Sequence, residues 1–345
     1  MRDDDSLATI LLVSRLCADG VQPLKPSEFW DLINDIKMSA ASDATWAEDA
    51  QPTQCGEGPG RLLGQSIEQL VRRHGLAEDL AGRVGALTDR ATALAFEVDQ
   101  LEQTGIRTLT AFDEHYPQRW LARLGAKAPP LVHGAGELQL LKTPGLGVVG
   151  SRDVSAAGGK VAQKVARLAA RRDLPLTSGG ARGVDQLAMA AAFEAGGAVV
   201  GILAESLARK LKRPDVRRAV YEGSTVMCTP NSPDAPFSAG NAMGRNKLVY
   251  AQAALTVVIA SDDGVGGTWS GASEALKHDY GPVAVWLDDG KGPGNGALQQ
   301  RGAEPVSSLE DIERLLVAAS ASESEPPPIP ASSSEQQSLF AATPR

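Results

Sequence analysis

The chain has 345 residues, 43% of them hydrophobic and 22% charged, enough for two or three domains with a core of Ala, Val and Leu. Its net charge of −8 is uneven: residues 1–60 carry 11 acids against 4 Lys/Arg, residues 318–345 carry 3 against 1, and the middle is close to neutral, so a positive crevice is not excluded. Three widely spaced cysteines (Cys17, Cys55, Cys228), no CxxC pair and only 4 His argue against a disulfide framework and against a metal site, and suit a reducing, cytoplasmic compartment.

The strongest apolar run near the start, residues 7–13, comes after three aspartates where a signal peptide would carry positive charge. It is also far short of the roughly 20 residues that cross a bilayer, so a buried helix is expected and no membrane association. Residues 6–37 read as helical, with apolar residues three or four apart and Pro26 near a helix start. Residues 38–60 are small, polar and acidic and read as a linker. Residues 61–104 are helical again, with Leu62, Leu63, Ile67, Leu70 and Val71 recurring on one face and Gly75, Gly82 and Gly85 punctuating it. Residues 1–104 thus form a helical N-terminal region, either a small module of its own or a cap on the next domain.

From residue 105 the pattern changes. Residues 106–110 and 131–133 are short strand candidates, separated by turns at Tyr116-Pro117 and Pro129-Pro130. A regular alternation then begins. Strands are expected at 146–149, 174–177, 198–203, 225–228, 255–260 and 283–287. Helices are expected at 156–172, 182–195, 241–253 and 268–279, with a basic helical stretch running to Tyr221. All-apolar strands alternating with helices imply an α/β fold: an extended Rossmann-like parallel sheet with helices on both faces. A last helix at 309–317 closes this domain, 105–317. Residues 318–345 are Ala, Ser, Glu and Pro, too poor in apolar surface to fold, and read as a disordered tail.

Gly145-Leu146-Gly147-Val148-Val149-Gly150 matches GxGxxG by letter, but Val148-Val149 is the strand itself and only Gly150 falls at the turn, so no dinucleotide cofactor is expected. Four other turns carry the chemistry. Gly150-Ser151-Arg152 offers backbone amides, a hydroxyl and a guanidinium fork to phosphate oxygens. Ser178-Gly179-Gly180-Ala181-Arg182-Gly183-Val184-Asp185 lets backbone approach a ligand closely, places Arg182 at a helix start, and offers Asp185 as an internal partner. Asn241 to Lys247 presents Asn241, Arg245, Asn246 and Lys247 on one stretch. Gly266-Gly267-Thr268 is a glycine-rich entry to a helix, with Trp269 next to it as either a stacking ring or core. Turns after successive parallel strands converge on the carboxyl edge of the sheet, where such folds bind ligands. A phosphate-bearing ligand is therefore expected there. No Walker lysine and no catalytic pair is visible. The basic run Arg209, Lys210, Lys212, Arg213, Arg217 and Arg218 is either an extension of that surface or a solvated helix face.

In this order the turns resemble the DNA-processing protein A (DprA/Smf) family, from Gly105-Ile106-Arg107 and Tyr116-Pro117 through Val148-Val149-Gly150-Ser151-Arg152, Ser178 to Asp185, Arg245-Asn246-Lys247 and Gly267-Thr268-Trp269 to Arg301-Gly302-Ala303 and Asp311-Ile312. The resemblance implies single-stranded DNA binding without strong sequence preference, a homodimer, and delivery of DNA to a RecA-type recombinase. It also implies that Ser151, Arg152, Arg182, Arg245 and Lys247 meet phosphates. The chain departs from the pattern at Gly180, where the family more often has Leu, in its first 60 residues, and in lacking a counterpart of the winged-helix-like domain of many members.

Two other readings stay open. One is a sensor of a nucleotide signal in phage defence. The other is a phosphoribohydrolase of the related LOG type, whose GGxGTxxE glutamate is matched here only by Glu274, with five residues between it and Thr268 instead of two. In the tail, Gln336-Gln337-Ser338-Leu339-Phe340 resembles the bacterial sliding-clamp-binding pentapeptide, with Gln336, Ser338, Leu339 and Phe340 at its defining positions.

Overall fold

The computed structural model describes residues 3–17, 20–44 and 58–323. Five helices come first: α1 (Asp4–Val13), α2 (Pro26–Ala44), α3 (Ile67–His74), α4 (Glu78–Thr88) and α5 (Ala91–Gln103). Their starts are set by local chemistry. Asp3 caps α1 by accepting the Ser6 N–H at 2.7 Å, and Ser66 and Gln69 form a reciprocal capping box on α3. Phe29, Leu32, Ile33, Ile36, Leu70 and Leu87 pack into a core of their own. The helices are also fastened to the sheet domain: the Trp30 indole donates to the Ala128 carbonyl at 2.8 Å, and α1 contributes Ile10 and Leu11 to a cluster with Leu131.

The remainder alternates strands and helices: β1 (Arg107–Thr110), α6 (Gln118–Leu124), β2 (Leu131–Gly136), β3 (Gly145–Val149), α7 (Ala156–Arg171), β4 (Leu176–Ser178), α8 (Val184–Glu194), β5 (Val199–Ile202), α9 (Leu207–Leu211), α10 (Pro214–Tyr221), β6 (Thr225–Thr229), α11 (Ala239–Gln252), β7 (Ala253–Val258), α12 (Gly266–His278), β8 (Val283–Trp286), α13 (Asn295–Gln300), β9 (Glu304–Val306) and α14 (Leu309–Glu323). The strands form one sheet in the order β1-β2-β6-β5-β4-β3-β7-β8-β9. Seven are parallel, and β1 and β2 add an antiparallel extension beyond β6. Helices α7, α8, α10 and α14 bury one face of the sheet; α6, α11, α12 and α13 bury the other. The expected α/β class and two-sided sheet are present.

Within β3 the glycines serve packing. A Cβ on Gly147 would stand 2.6 Å from the Thr256 hydroxyl of β7. Gly145 and Gly147 therefore belong to the strand, and the letter match to a dinucleotide motif has no structural counterpart.

Three boundaries differ from expectation. Helix α2 continues to Ala44 and a 3-10 turn spans Pro59–Leu62, so the expected linker at 38–60 is ordered at both ends, and its middle, 45–57, lies outside the described residues. Helix α14 runs to Glu323 and overruns the expected start of the tail, because Ala and Ser continue a helix already begun on Ile312 and Leu316. Strand β9, only Glu304–Val306, was not legible: it carries Pro305 and two exposed residues, as an edge strand can. The sliding-clamp-like peptide, 336–340, lies outside the described residues. Among the described residues no helix is long and apolar enough to cross a membrane.

Candidate functional site

Strand order reverses between β3 and β7: the chain moves outward from β3 through β4, β5 and β6, then returns to the opposite side of β3. Two neighbouring strand ends there send their connections in opposite directions, and a crevice opens between them. Its volume is about 460 Å³, and its walls include Gly150, Ser151, Arg152, Arg245, Asn246, Gly266, Gly267 and Thr268. Residues from all four expected stretches, 150–152, Ala181 and Asp185 of 178–185, 245–246 and 266–268, meet here. The β3 turn is pinned on both sides: Ser151 N–H donates to the Ala260 carbonyl at 2.8 Å, and the Ser151 carbonyl accepts from Val184 N–H at 3.2 Å.

The floor is a buried pair of opposite charges. Asp185, 4% exposed, and Arg245, 6% exposed, belong to α8 and α11. Asp185 accepts the Ala181 N–H at 3.3 Å. Burial pushes its carboxyl up, while Arg245 and the amides of Ala181, Gly179 and Gly150 pull it back toward the charged form. Burial likewise lowers Arg245, and Asp185 opposes that shift. One carboxylate therefore faces the β3 turn and the β4 turn together, the internal role expected of it. The Arg245 guanidinium lies directly beneath Gly179, where a Cβ would stand 1.6 Å from its Nη1. Arg245 thus underlies the crevice, mostly buried while still forming part of its wall. Ser178 is also withdrawn: it is fully buried and its hydroxyl donates to the Val148 carbonyl at 2.7 Å.

The mouth is built by a residue that sequence reading missed. The Arg152 guanidinium lies 4.9 Å over the ring of Phe237, which is 50% exposed. This pair spans the opening between the β3 turn and the loop before α11. On its far side a second chamber, about 310 Å³, is lined by Gly179, Gly180, Arg182, Gln186 and Glu205. Arg182 is exposed there and pairs with Asp153 at 2.6 Å, a surface ion pair weak enough to exchange for a phosphate. Phe237 sits in a short run of Pro, Ala and Ser with no periodicity to mark it.

The stretch 241–247 lies in α11, where a helix was expected, and helical geometry divides its side chains. Asn246 faces the crevice and donates to the Gly267 carbonyl at 3.1 Å. Asn241 and Lys247 lie on the opposite side of α11, in a separate cleft of about 360 Å³ shared with Lys127, Asn231 and Arg15. Burial lowers the Lys247 ammonium; Glu274 favours its charge and Lys127 opposes it. Glu274 itself accepts the Tyr280 hydroxyl at 3.0 Å and is not among the crevice walls.

Two residues or stretches left open by the sequence serve packing and local pairing. Trp269 is 8% exposed, part of the core, and covered by Arg301 at 4.9 Å. In the basic run, Lys210 pairs with Glu205, Arg213 with Asp215 and Arg218 with Glu222, each at 2.7 Å, so half of its six charges have local acidic partners. Among the described residues no group of three or more His, Cys, Asp or Glu is placed to hold a metal ion.

Comparison with known proteins identifies the family and the fold. The family profile for DNA recombination-mediator protein A matches residues 107–316, more than half of the chain. A putative DNA processing protein DprA of Mycobacterium tuberculosis is 29% identical over 257 residues, which cover 70% of this chain and 65% of that protein; the match therefore spans just under two thirds of the relative's length. The DNA processing protein DprA of Bacillus subtilis is 25% identical over 238 residues, 65% of this chain and 79% of that one. Among solved structures, DNA processing protein A from Streptococcus pneumoniae has the same fold, with a TM-score of 0.60 at 20% identity over 85% of this chain and 98% of that one. The DNA processing protein A of Helicobacter pylori, studied for its single-stranded DNA binding mode, aligns with a TM-score of 0.50 at 21% identity over 62% of this chain and 96% of that one. The order of motifs, the nine-stranded sheet that carries them and the profile match lead to one conclusion: the chain belongs to the DNA recombination-mediator protein A (DprA/Smf) family.

Proposed function

We propose that this protein binds single-stranded DNA along the carboxyl edge of its sheet and acts in DNA processing as a binding protein, not an enzyme. The observation that carries the reading is the Arg152–Phe237 pair at the mouth of the crevice. It joins a cation for the phosphate backbone to a half-exposed ring on which a base can stack, the two elements of sequence-tolerant single-strand binding. Membership of the family and the single-stranded DNA binding of the Helicobacter pylori relative support it. The position of Glu274, held by Tyr280 away from the crevice, speaks against a phosphoribohydrolase.

The test is a titration of one preparation with single-stranded DNA, duplex DNA and a mononucleotide. Single-stranded DNA is expected to bind most tightly, with log K falling against log salt by roughly 0.7 per phosphate contacted. Phe237→Ala, removing one stacking surface of about 1–3 kcal/mol, is expected to weaken binding about tenfold or more. Arg152→Ala should weaken it comparably and flatten the salt slope. Tight mononucleotide binding without DNA affinity would replace this reading with that of a nucleotide sensor. AMP hydrolysis lost in Glu274→Ala would replace it with the enzyme.

Assembly as a homodimer and delivery of DNA to a RecA-type recombinase belong to the same proposal and rest on the family resemblance. A separate part concerns the tail, where Gln336, Ser338, Leu339 and Phe340 form a peptide suited to the groove of a DNA polymerase sliding clamp. A synthetic peptide spanning 332–345 should bind the clamp and lose binding on Leu339→Ala/Phe340→Ala. Equal binding by the two peptides rules this part out.

A further inference from the structure

A row of uncompensated charge lies outside the crevice, on α7. Lys160, Lys164, Arg167 and Arg171 recur at intervals of 4, 3 and 4 residues. At 100° per residue they fall within about 60° of one another around the helix, and they run about 16 Å along it. All four are exposed. The opposite face of α7, carrying Val161, Ala162, Val165 and Leu168, is buried against the sheet and α8.

Packing does not require four cations on this face, and local acids do not neutralise them. The elements packed beside α7 present Asp185, which is buried, and Glu194 on α8, Glu310, Asp311 and Glu313 on α14, and Asp288 and Asp289 in the loop that meets Gly158. Glu313 is taken by Arg172 at 2.6 Å, and Asp311 is taken by Arg314 and by Ser307 and Ser308. None of the four α7 cations lies within ion-pair distance of any of these acids. Along α9 and α10, by contrast, three of the six basic side chains, Lys210, Arg213 and Arg218, hold acidic partners. In a chain of net charge −8, four unpaired cations in a row are a built feature of the surface. Neighbours along the row are about 4.5–6 Å apart in helical rise, within a Debye length of about 8–10 Å, so their potentials add.

The row is also continuous with the crevice. Helix α7 is the element that leaves the β3 turn: Ser155 caps it three residues after Arg152, accepting the Gly158 N–H at 3.1 Å. Lys160 comes one turn later. A strand whose phosphates are held at Arg152 and Arg182 meets this row on leaving the mouth.

We infer that the exposed face of α7 is an exit track for the phosphate backbone, so that a single strand engaged at the crevice continues along Lys160, Lys164, Arg167 and Arg171. The inference rests on the proposed binding at the crevice and extends it to a second, purely electrostatic segment without base stacking. Affinity then depends on strand length beyond what the crevice alone can hold.

The test compares two oligothymidylates on the full chain: one of about 6 nucleotides, within the roughly 4–16 that a single binding module spans, and one of about 30. The variant is Lys160→Ala/Lys164→Ala/Arg167→Ala/Arg171→Ala. All four positions are exposed and alanine is the best helix former, so the helix is retained. The long strand is expected to lose at least tenfold in affinity and its salt slope to fall by roughly 3, about 0.7 for each of four contacts. The short strand should be unaffected. Arg167→Lys/Arg171→Lys, which keeps the charge, should behave as the parent on both strands. Unchanged binding of the long strand by the alanine variant overturns the track, as does equal weakening on both lengths. If the parent chain binds neither strand, the reading of the crevice fails, and the track fails with it.

Discussion

Asp185→Ala is expected to destabilise the protein by about 1–3 kcal/mol, the cost of leaving the part-buried Ala181 N–H without its acceptor. The measurement is a urea unfolding curve, in which the midpoint falls while the slope is kept. The cause is the position of Asp185 under the crevice. Its carboxylate faces the amides of Gly150, Gly179 and Ala181, and is the main opposite charge acting on the buried Arg245. Removing it frees two turns at once and strands a guanidinium whose Nε already lacks a hydrogen-bond partner. Arg245→Met in the Asp185→Ala background should recover part of the loss, because it withdraws the stranded charge. An Asp185→Ala variant within about 1 kcal/mol of the parent, no more than an average substitution costs, would show that the pair does not organise the floor.

Gly183→Ala is the second substitution with a large expected effect, about 2–5 kcal/mol: about 1–2 for a left-handed backbone and about 1–3 for overpacking. Gly183 holds φ at +83°, and a Cβ there would stand 2.4 Å from the Ser151 carbonyl oxygen and 2.6 Å from that of Arg152. Both obstacles are backbone and cannot swing aside. The methyl group would drive the α8 start away from the β3 turn and break the Val184 N–H to Ser151 contact. Single-strand binding should fall further than in Arg182→Ala, whose side chain is exposed and whose ion pair with Asp153 is on the surface. Binding retained at the parent level in a folded Gly183→Ala protein would mean that the registry of these turns is irrelevant to the ligand.

Much of this architecture was legible because it depends on short-range pattern. Residues 146–149, 198–203 and 255–260 are largely unbroken apolar runs, which is what a strand covered on both faces requires. The glycine-rich turns between them marked the carboxyl edge, and the letter match at Gly145 to Gly150 could be set aside because its valines had to be strand. The row on α7 is likewise written in the spacing of residues 160, 164, 167 and 171. That its cations lack acidic partners is a property of α8 and α14 and is not written there.

The misplaced residues share a different cause. Asn241, Arg245, Asn246 and Lys247 were expected to face one ligand because they are adjacent in sequence. On a helix, adjacency scatters side chains, so Asn246 reaches the crevice, Arg245 its floor, and Asn241 and Lys247 another cleft. Trp269, which residue order left open between a stacking ring and core, is core because α12 packs it inward. Phe237 had no local signal; it matters only because the loop before α11 returns across the β3 turn and brings the ring to Arg152.

Residue order alone dictates the alternation of strands and helices, the sheet edge that carries the site, and the family whose ordered motifs the chain shares. Local periodicity and turn chemistry act over a few residues, and those can be read directly. Which polar side chains are surface and which are support is settled by packing. Burial of Ser178, Asp185 and Arg245, exposure of Phe237 and the unpaired face of α7 all arise from contacts between segments tens of residues apart, where no sequence pattern reports which groups meet.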